Sequence, residues 1–125
     1  MLILTDGEFS TQEAAKQIAA TFPDSRILTA REFTGVEILS PDAYFFGCAE
    51  PDPPSFAYLE TVLQHINLVG RPCGIFSPQS EYSSQALEYL SRIVVDSELA
   101  LYPHPFLAEG QVDIASWAVG VLGRE

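Results

Sequence analysis

The chain has 125 residues, 47% of them hydrophobic, and carries 17 Asp and Glu against 6 Lys and Arg, a formal net charge of −11. This length suits one domain spanning residues 1–125 with a single layered core, and the hydrophobic content excludes disorder. The acidic balance argues against nucleic acid and anionic membrane as partners and favours cationic ones, and no apolar run reaches the ~20 residues of a membrane span.

In chain order, Leu2 to Thr5 is a short apolar run of the kind expected for a strand covered on both faces. It follows Met1 with no basic leader or cleavage site, a pattern expected of a cytoplasmic protein. Ser10-Thr11-Gln12-Glu13 fits a capping box, with a hydroxyl N-cap and a glutamate three residues on. Ala15, Ile18, Ala19 and Phe22 then recur at helical spacing until Pro23-Asp24. Arg26 to Ala30 reads as a second strand, and Phe33 to Ser40 as a loop with a short turn. Ala43 to Cys48 is aromatic and fully apolar, a third strand. It breaks into Ala49-Glu50-Pro51-Asp52-Pro53-Pro54, which can continue neither a helix nor a central strand.

Phe56, Leu59, Leu63 and Ile66 mark an amphipathic helix, and Gly70-Arg71-Pro72 turns into a fourth strand, Cys73 to Phe76. Ser77 to Tyr82 reads as a polar loop. Ser83 or Ser84 then caps a helix whose inner face is Ala86, Leu87, Leu90 and Val94. Leu99 to Tyr102 is a fifth strand, and Pro103 and Pro105, which cannot donate ladder hydrogen bonds, place it at a sheet edge. Ile114, Trp117, Ala118, Val121 and Leu122 close the chain as a last helix. Strands alternating with helices predict an α/β protein with a parallel sheet and helices on both faces, and ligands beyond the carboxyl ends of the strands.

Three segments carry a resemblance. Asp42-Ala43-Tyr44-Phe45-Phe46-Gly47, Gly70 to Phe76 and Thr11 to Ile18 resemble the third strand, fourth strand and first helix of the flavodoxins. That family consists of small electron carriers that bind flavin mononucleotide (FMN). The resemblance implies a three-layer fold with a five-stranded parallel sheet in the order 2-1-3-4-5. It also implies cofactor contacts from Ser10 and Thr11 in the first loop, Cys48 and Ala49 in the second, and Ser77, Gln79 and Tyr82 in the third.

The loops depart from the family pattern in their chemistry. Asp6 stands where a hydroxyl residue is usual, Glu8 replaces another, and Phe9 takes the place of a glycine. Two carboxylates beside a phosphate dianion cost about 1 kcal/mol per charge pair even in water-like surroundings. The second loop holds no aromatic residue to stack on a flavin, and the third offers Tyr82. The expectation drawn is a protein that has lost conventional FMN binding and holds no cofactor. It would act as a partner-binding module, turning Asp6, Glu8, Glu50, Asp52 and Glu81 toward a basic protein. The alternatives are an FMN-dependent electron carrier or small reductase with an atypical phosphate loop, and a Mg²⁺ or Ca²⁺ site on Asp6 with Glu50 or Asp52.

No catalytic residue is assigned. Ser10 and Ser77 have no histidine partner and no G-x-S-x-G elbow. His65 reads as a helix-end residue, His104 as a structural residue between two prolines, and Trp117 as core. Cys48 and Cys73 read as buried thiols in a reducing compartment rather than a disulfide or a four-ligand zinc site. A receiver-domain reading fails because Gly47-Cys48 stands where an aspartate is needed.

Overall fold

The computed structural model describes residues 1–78, 80–108 and 113–123. The strands are β1 (Leu2–Thr5), β2 (Arg26–Thr29), β3 (Tyr44–Gly47), β4 (Pro72–Pro78), β5 (Ala100–Leu101) and β6 (Phe106–Ala108). The helices are α1 (Phe9–Thr21), α2 (Ala57–Gln64), α3 (Ser83–Val95) and α4 (Ile114–Val121), with 3₁₀ turns at Val36–Ile38 and Pro54–Phe56. All strand pairs are parallel, in the order β2-β1-β3-β4-β5, and β6 also pairs with β4. This is the sheet order that the resemblance to flavodoxins implied.

Alternation along the strands builds two cores. Leu2, Leu4, Leu28, Tyr44, Phe46, Cys73 and Ile75 face one way, against Leu59 and Leu63 of α2 and Ala86, Leu90 and Val94 of α3. Ile3, Phe45 and Phe76 face the other way, against Ala15 and Ile18 of α1 and Trp117 and Val121 of α4. Full burial on both faces explains why β1 and β3 read as unbroken apolar runs rather than alternating ones. Where β2 and β3 would be joined by a crossover helix, the chain makes only the 3₁₀ turn. Arg71 holds that segment from below, donating to the carbonyls of Leu39 and Pro41 at 2.9 Å each and to the Tyr44 hydroxyl at 2.8 Å.

Several local expectations are corrected. Helix α1 begins at Phe9 with Glu8 as its N-cap, so Ser10 lies inside the first turn, and no side chain caps this end. The cause is an earlier turn: Asp6 Oδ1 accepts the Glu8 N–H at 3.0 Å, and Gly7 takes a φ of +85°. Glu13, freed from capping, pairs with Lys16 at 3.3 Å. Ser83 is likewise the first residue of α3 rather than its cap.

Strand β4 is longer than the sequence suggested. It runs through Ser77 and Pro78 because its edge partner resumes after the prolines. Leu101 pairs with Cys73 and Phe106 with Phe76, so the edge advances five residues (101 to 106) while β4 advances three (73 to 76). The two extra residues form a bulge where Pro103 and Pro105 offer no N–H. Trp117 Nε1 pins that bulge, donating to the His104 carbonyl at 2.7 Å.

Candidate functional site

Helix α1, following β1, packs on one face of the sheet, and α2, following β3, packs on the other. The crossovers therefore part between β1 and β3, and a crevice opens beyond their carboxyl ends, the usual ligand position in this architecture. A cleft of ≈ 270 Å³ lies there, lined among others by Asp6, Glu8, Glu50, Pro53 and Arg31. Arg31 went unnoticed in the sequence because it follows β2. It arrives because β2 lies beside β1, a placement that the strand order 2-1-3 already contains.

Asp6 organises the floor of this cleft. Its Oδ1 accepts the Glu8 N–H at 3.0 Å, and its Oδ2 accepts the Ala49 N–H at 2.8 Å, tying the loop after β1 to the loop after β3. Thr5 Oγ1 accepts the Gly7 N–H at 3.2 Å and donates to Gln12 Oε1 at 2.6 Å. The first helical amide with a backbone partner is that of Gln12, which donates to the Glu8 carbonyl. With no side-chain cap, the amides of Phe9, Ser10 and Thr11 stand at an open helix N-terminus, where the backbone favours an anion. Thr11 is fully buried there, and among the described residues its hydroxyl has no hydrogen-bond partner. Ser10 is exposed, and Phe9 is 78% exposed.

The other candidate residues separate. Cys48 is buried directly after β3, and its thiol is pushed up to about 12, first by burial and then by the Asp6 carboxylate. Ala49 presents its carbonyl to the Ser80 hydroxyl at 3.4 Å, so the second and third loops touch. Tyr82 is exposed beside them. Ser77, expected in the loop, is instead buried inside β4, and its hydroxyl donates to the Pro78 carbonyl at 3.3 Å. Gln79 lies outside the described residues.

The acidic edge also divides. Asp6, Glu8 and Glu50 share the β1/β3 cleft, whereas Asp52 lines a different cleft with Glu60, Tyr89, Arg92 and Asp96. Glu81 is exposed in the third loop. Among the described residues, no group of three or more His, Cys, Asp or Glu side chains is placed to hold a metal ion. Both Asp6 oxygens already serve backbone amides. His65 is exposed at the end of α2, its Nδ1 2.8 Å from the Thr61 carbonyl, and His104 is exposed on the edge bulge. Among the described residues no helix is long and apolar enough to cross a membrane.

With strand order, crossovers and crevice in place, the architecture is that of the flavodoxin-like fold, and comparison with solved structures agrees. Oxidised flavodoxin 2 from Bacillus cereus superposes with a TM-score of 0.83 at 15% identity, covering 99% of this chain and 98% of that one. A flavodoxin from Streptococcus pneumoniae TIGR4 gives 0.78 at 13% identity, covering 99% and 97%. Fusobacterium nucleatum flavodoxin bound to flavin mononucleotide gives 0.76 at 12% identity, covering 96% and 94%. No family model matches the chain, and no curated protein matches it. At these identities the likeness establishes the fold, and function has to be argued from the site.

Proposed function

We propose that this protein is a flavodoxin-type electron carrier that takes FMN at the β1/β3 crevice. This was the alternative reading of the sequence. It gains support from the structural neighbours, of which the F. nucleatum protein is bound to flavin mononucleotide. The observation that carries it is the Thr11 hydroxyl, buried without a partner among the described residues at an uncapped helix N-terminus. A buried hydroxyl left unpaired costs about 1–3 kcal/mol, and a phosphate oxygen would satisfy it together with the neighbouring amides.

The donor set fits the phosphate end. The amides of Phe9, Ser10 and Thr11 and the hydroxyls of Ser10 and Thr11 would hold the phosphate, while Ala49, Cys48 and the exposed Tyr82 ring would border the flavin. When bound, FMN supplies reversible electron uptake. The chain's own share is to bind the phosphate, orient the ring, and present an acidic edge to a basic redox partner. Glu8, Glu50 and Glu81 remain the candidates for that edge.

Asp6 opposes the cofactor, because its carboxylate occupies the Glu8 and Ala49 amides in the manner of an internal anion. That observation favours a second reading, a flavin-free module whose acidic edge docks a basic protein. Titrating FMN with the purified chain and following flavin fluorescence separates the two. Saturable quenching, tightened in the double variant Glu8→Thr with Phe9→Gly, supports the electron carrier. No quenching in either protein eliminates it and leaves the docking module.

A further inference from the structure

Strand β2 ends the sheet, with β1 on one side of it and, among the described residues, no strand on the other. Such an edge offers backbone donors and acceptors to any extended chain, a second copy of the protein included. The Arg26 and Ala30 amides turn inward, donating to the Met1 and Thr5 carbonyls at 3.0 and 2.8 Å. Backbone groups of successive residues alternate sides along a strand, so those of Ser25, Ile27 and Thr29 turn outward. The chain itself occupies two of these three positions. The Ser25 N–H donates to the Phe22 carbonyl at 2.9 Å. Thr29 is closed by a single residue: its N–H and its hydroxyl donate to Glu32 Oε1 at 3.0 and 2.9 Å, and its carbonyl accepts the Glu32 N–H at 3.0 Å. The Thr29 backbone bond, then the hydroxyl bond, with Arg26 as a weaker attraction, hold the Glu32 carboxyl below its ordinary range against the cost of desolvation.

We propose that Glu32 guards this edge: by filling the outward amide and carbonyl of Thr29, it blocks antiparallel pairing of β2 with the β2 strand of a second copy. The second copy is the occupant because such a pairing, centred on Ile27, is self-complementary. Each Ile27 then faces its counterpart, and each Thr29 falls opposite a Ser25. While Glu32 stays in place only the central Ile27 pair can form, since both flanking pairs need Thr29. One pair of hydrogen bonds is too little to hold together two chains of net charge −11 each. Freeing Thr29 changes the balance. Its amide can then donate to the Ser25 carbonyl of the other copy on both sides of the two-fold axis, which doubles the bonds across the edge. A contact made within three residues of one chain therefore decides whether the sheet stops at β2 or continues into a neighbour.

The proposal does not depend on the flavin reading, and it has its own test. Amide hydrogen exchange followed by NMR on the full chain should show Thr29 protected roughly tenfold more than Ile27, and Glu32→Ala should bring Thr29 down to the Ile27 level. Sedimentation velocity at high protein concentration reads the second half. Glu32→Ala should associate more strongly than the parent. Glu88→Ala, which removes an equal charge from an exposed position on α3, should sediment as the parent does. Adding Thr29→Pro to Glu32→Ala deletes the outward amide without deleting a bond to β1, a substitution an edge strand tolerates, and should abolish the added association. Equal exchange at Thr29 in parent and Glu32→Ala overturns the proposal. So does a Glu32→Ala protein that associates no more than the parent, or no more than Glu88→Ala. Association that persists with Thr29→Pro overturns it too, since the contact then lies elsewhere. If the proline variant fails to fold, hydrogen exchange and the comparison with Glu88→Ala decide, because Glu32 is exposed and carries no core packing.

Discussion

Replacing Asp6 with serine should move stability and flavin affinity in opposite directions. The carboxylate makes two hydrogen bonds to backbone amides, at 3.0 Å to Glu8 and 2.8 Å to Ala49. Bonds to a charged group contribute about 1.5–3 kcal/mol each when well shielded. Asp6 is only half-buried, and a serine hydroxyl can recover the shorter-range contact to Glu8, so the net loss should be about 1–2 kcal/mol, or roughly 4–8 °C in Tm for a domain of this size. For FMN, the same change removes one negative charge facing a phosphate dianion. Two charge pairs at about 1 kcal/mol each in water-like surroundings amount to about 2 kcal/mol, or roughly 30-fold in Kd. Urea denaturation reads the first quantity and quenching of flavin fluorescence reads the second. A variant as stable as the parent would show that Asp6 does not hold the two loops together. A variant that binds FMN more weakly would show that the carboxylate does not compete with phosphate. The stability arm decides the role of Asp6 in the fold even if neither protein binds flavin.

Two further outcomes follow from the core. Gly47→Ala would drive a Cβ into the ring of Phe76, its register partner on β4, which is fully buried. Overpacking of this kind costs about 1–3 kcal/mol, so thermal unfolding should shift down by roughly 4–12 °C, and an unchanged Tm would refute the close approach. Cys48, with its thiol held near 12, should be ionised at pH 8 in only about one molecule in 10⁴, against roughly a quarter for an ordinary cysteine. Disulfide-exchange reagents should therefore label neither Cys48 nor buried Cys73 in the native protein at pH 8 and both in urea. Rapid native labelling of one thiol would contradict the burial of that site. The same shift has a stability consequence: the raised folded pKa contributes in full below the ordinary thiol range, and the contribution is lost as pH rises from there toward about 12.

Much of the architecture was already written in local pattern. Short apolar runs separated by helical periodicity can be buried only as strands sandwiched between helices, so Leu2–Thr5 and Tyr44–Gly47 announced a parallel sheet covered on both faces. The prolines at 103 and 105 likewise announced an edge. The return of the edge strand at Phe106 was not legible, because three residues of apolar sequence become a strand only where β4 offers free carbonyls and amides beside them. Ser77 was misplaced for the same reason. The start of α1 was misread because a capping box is a local signal, and the turn that displaced it uses the Asp6 side chain, whose second oxygen is satisfied 43 residues away at Ala49.

The sequence by itself determined the layers and the acidity of the ligand edge, since periodicity and charge are properties of consecutive residues, while the strand order came only with the resemblance to flavodoxins. Tertiary structure alone decided how those charges are grouped. Folding brings Arg31 to Asp6 and Glu8, and it moves Asp52 away from them to Glu60, Tyr89 and Asp96 on the α2–α3 flank. A carboxylate's neighbours in space, not in the chain, set what it can bind, because Coulomb attraction and hydrogen bonding act over a few ångströms and are indifferent to sequence separation.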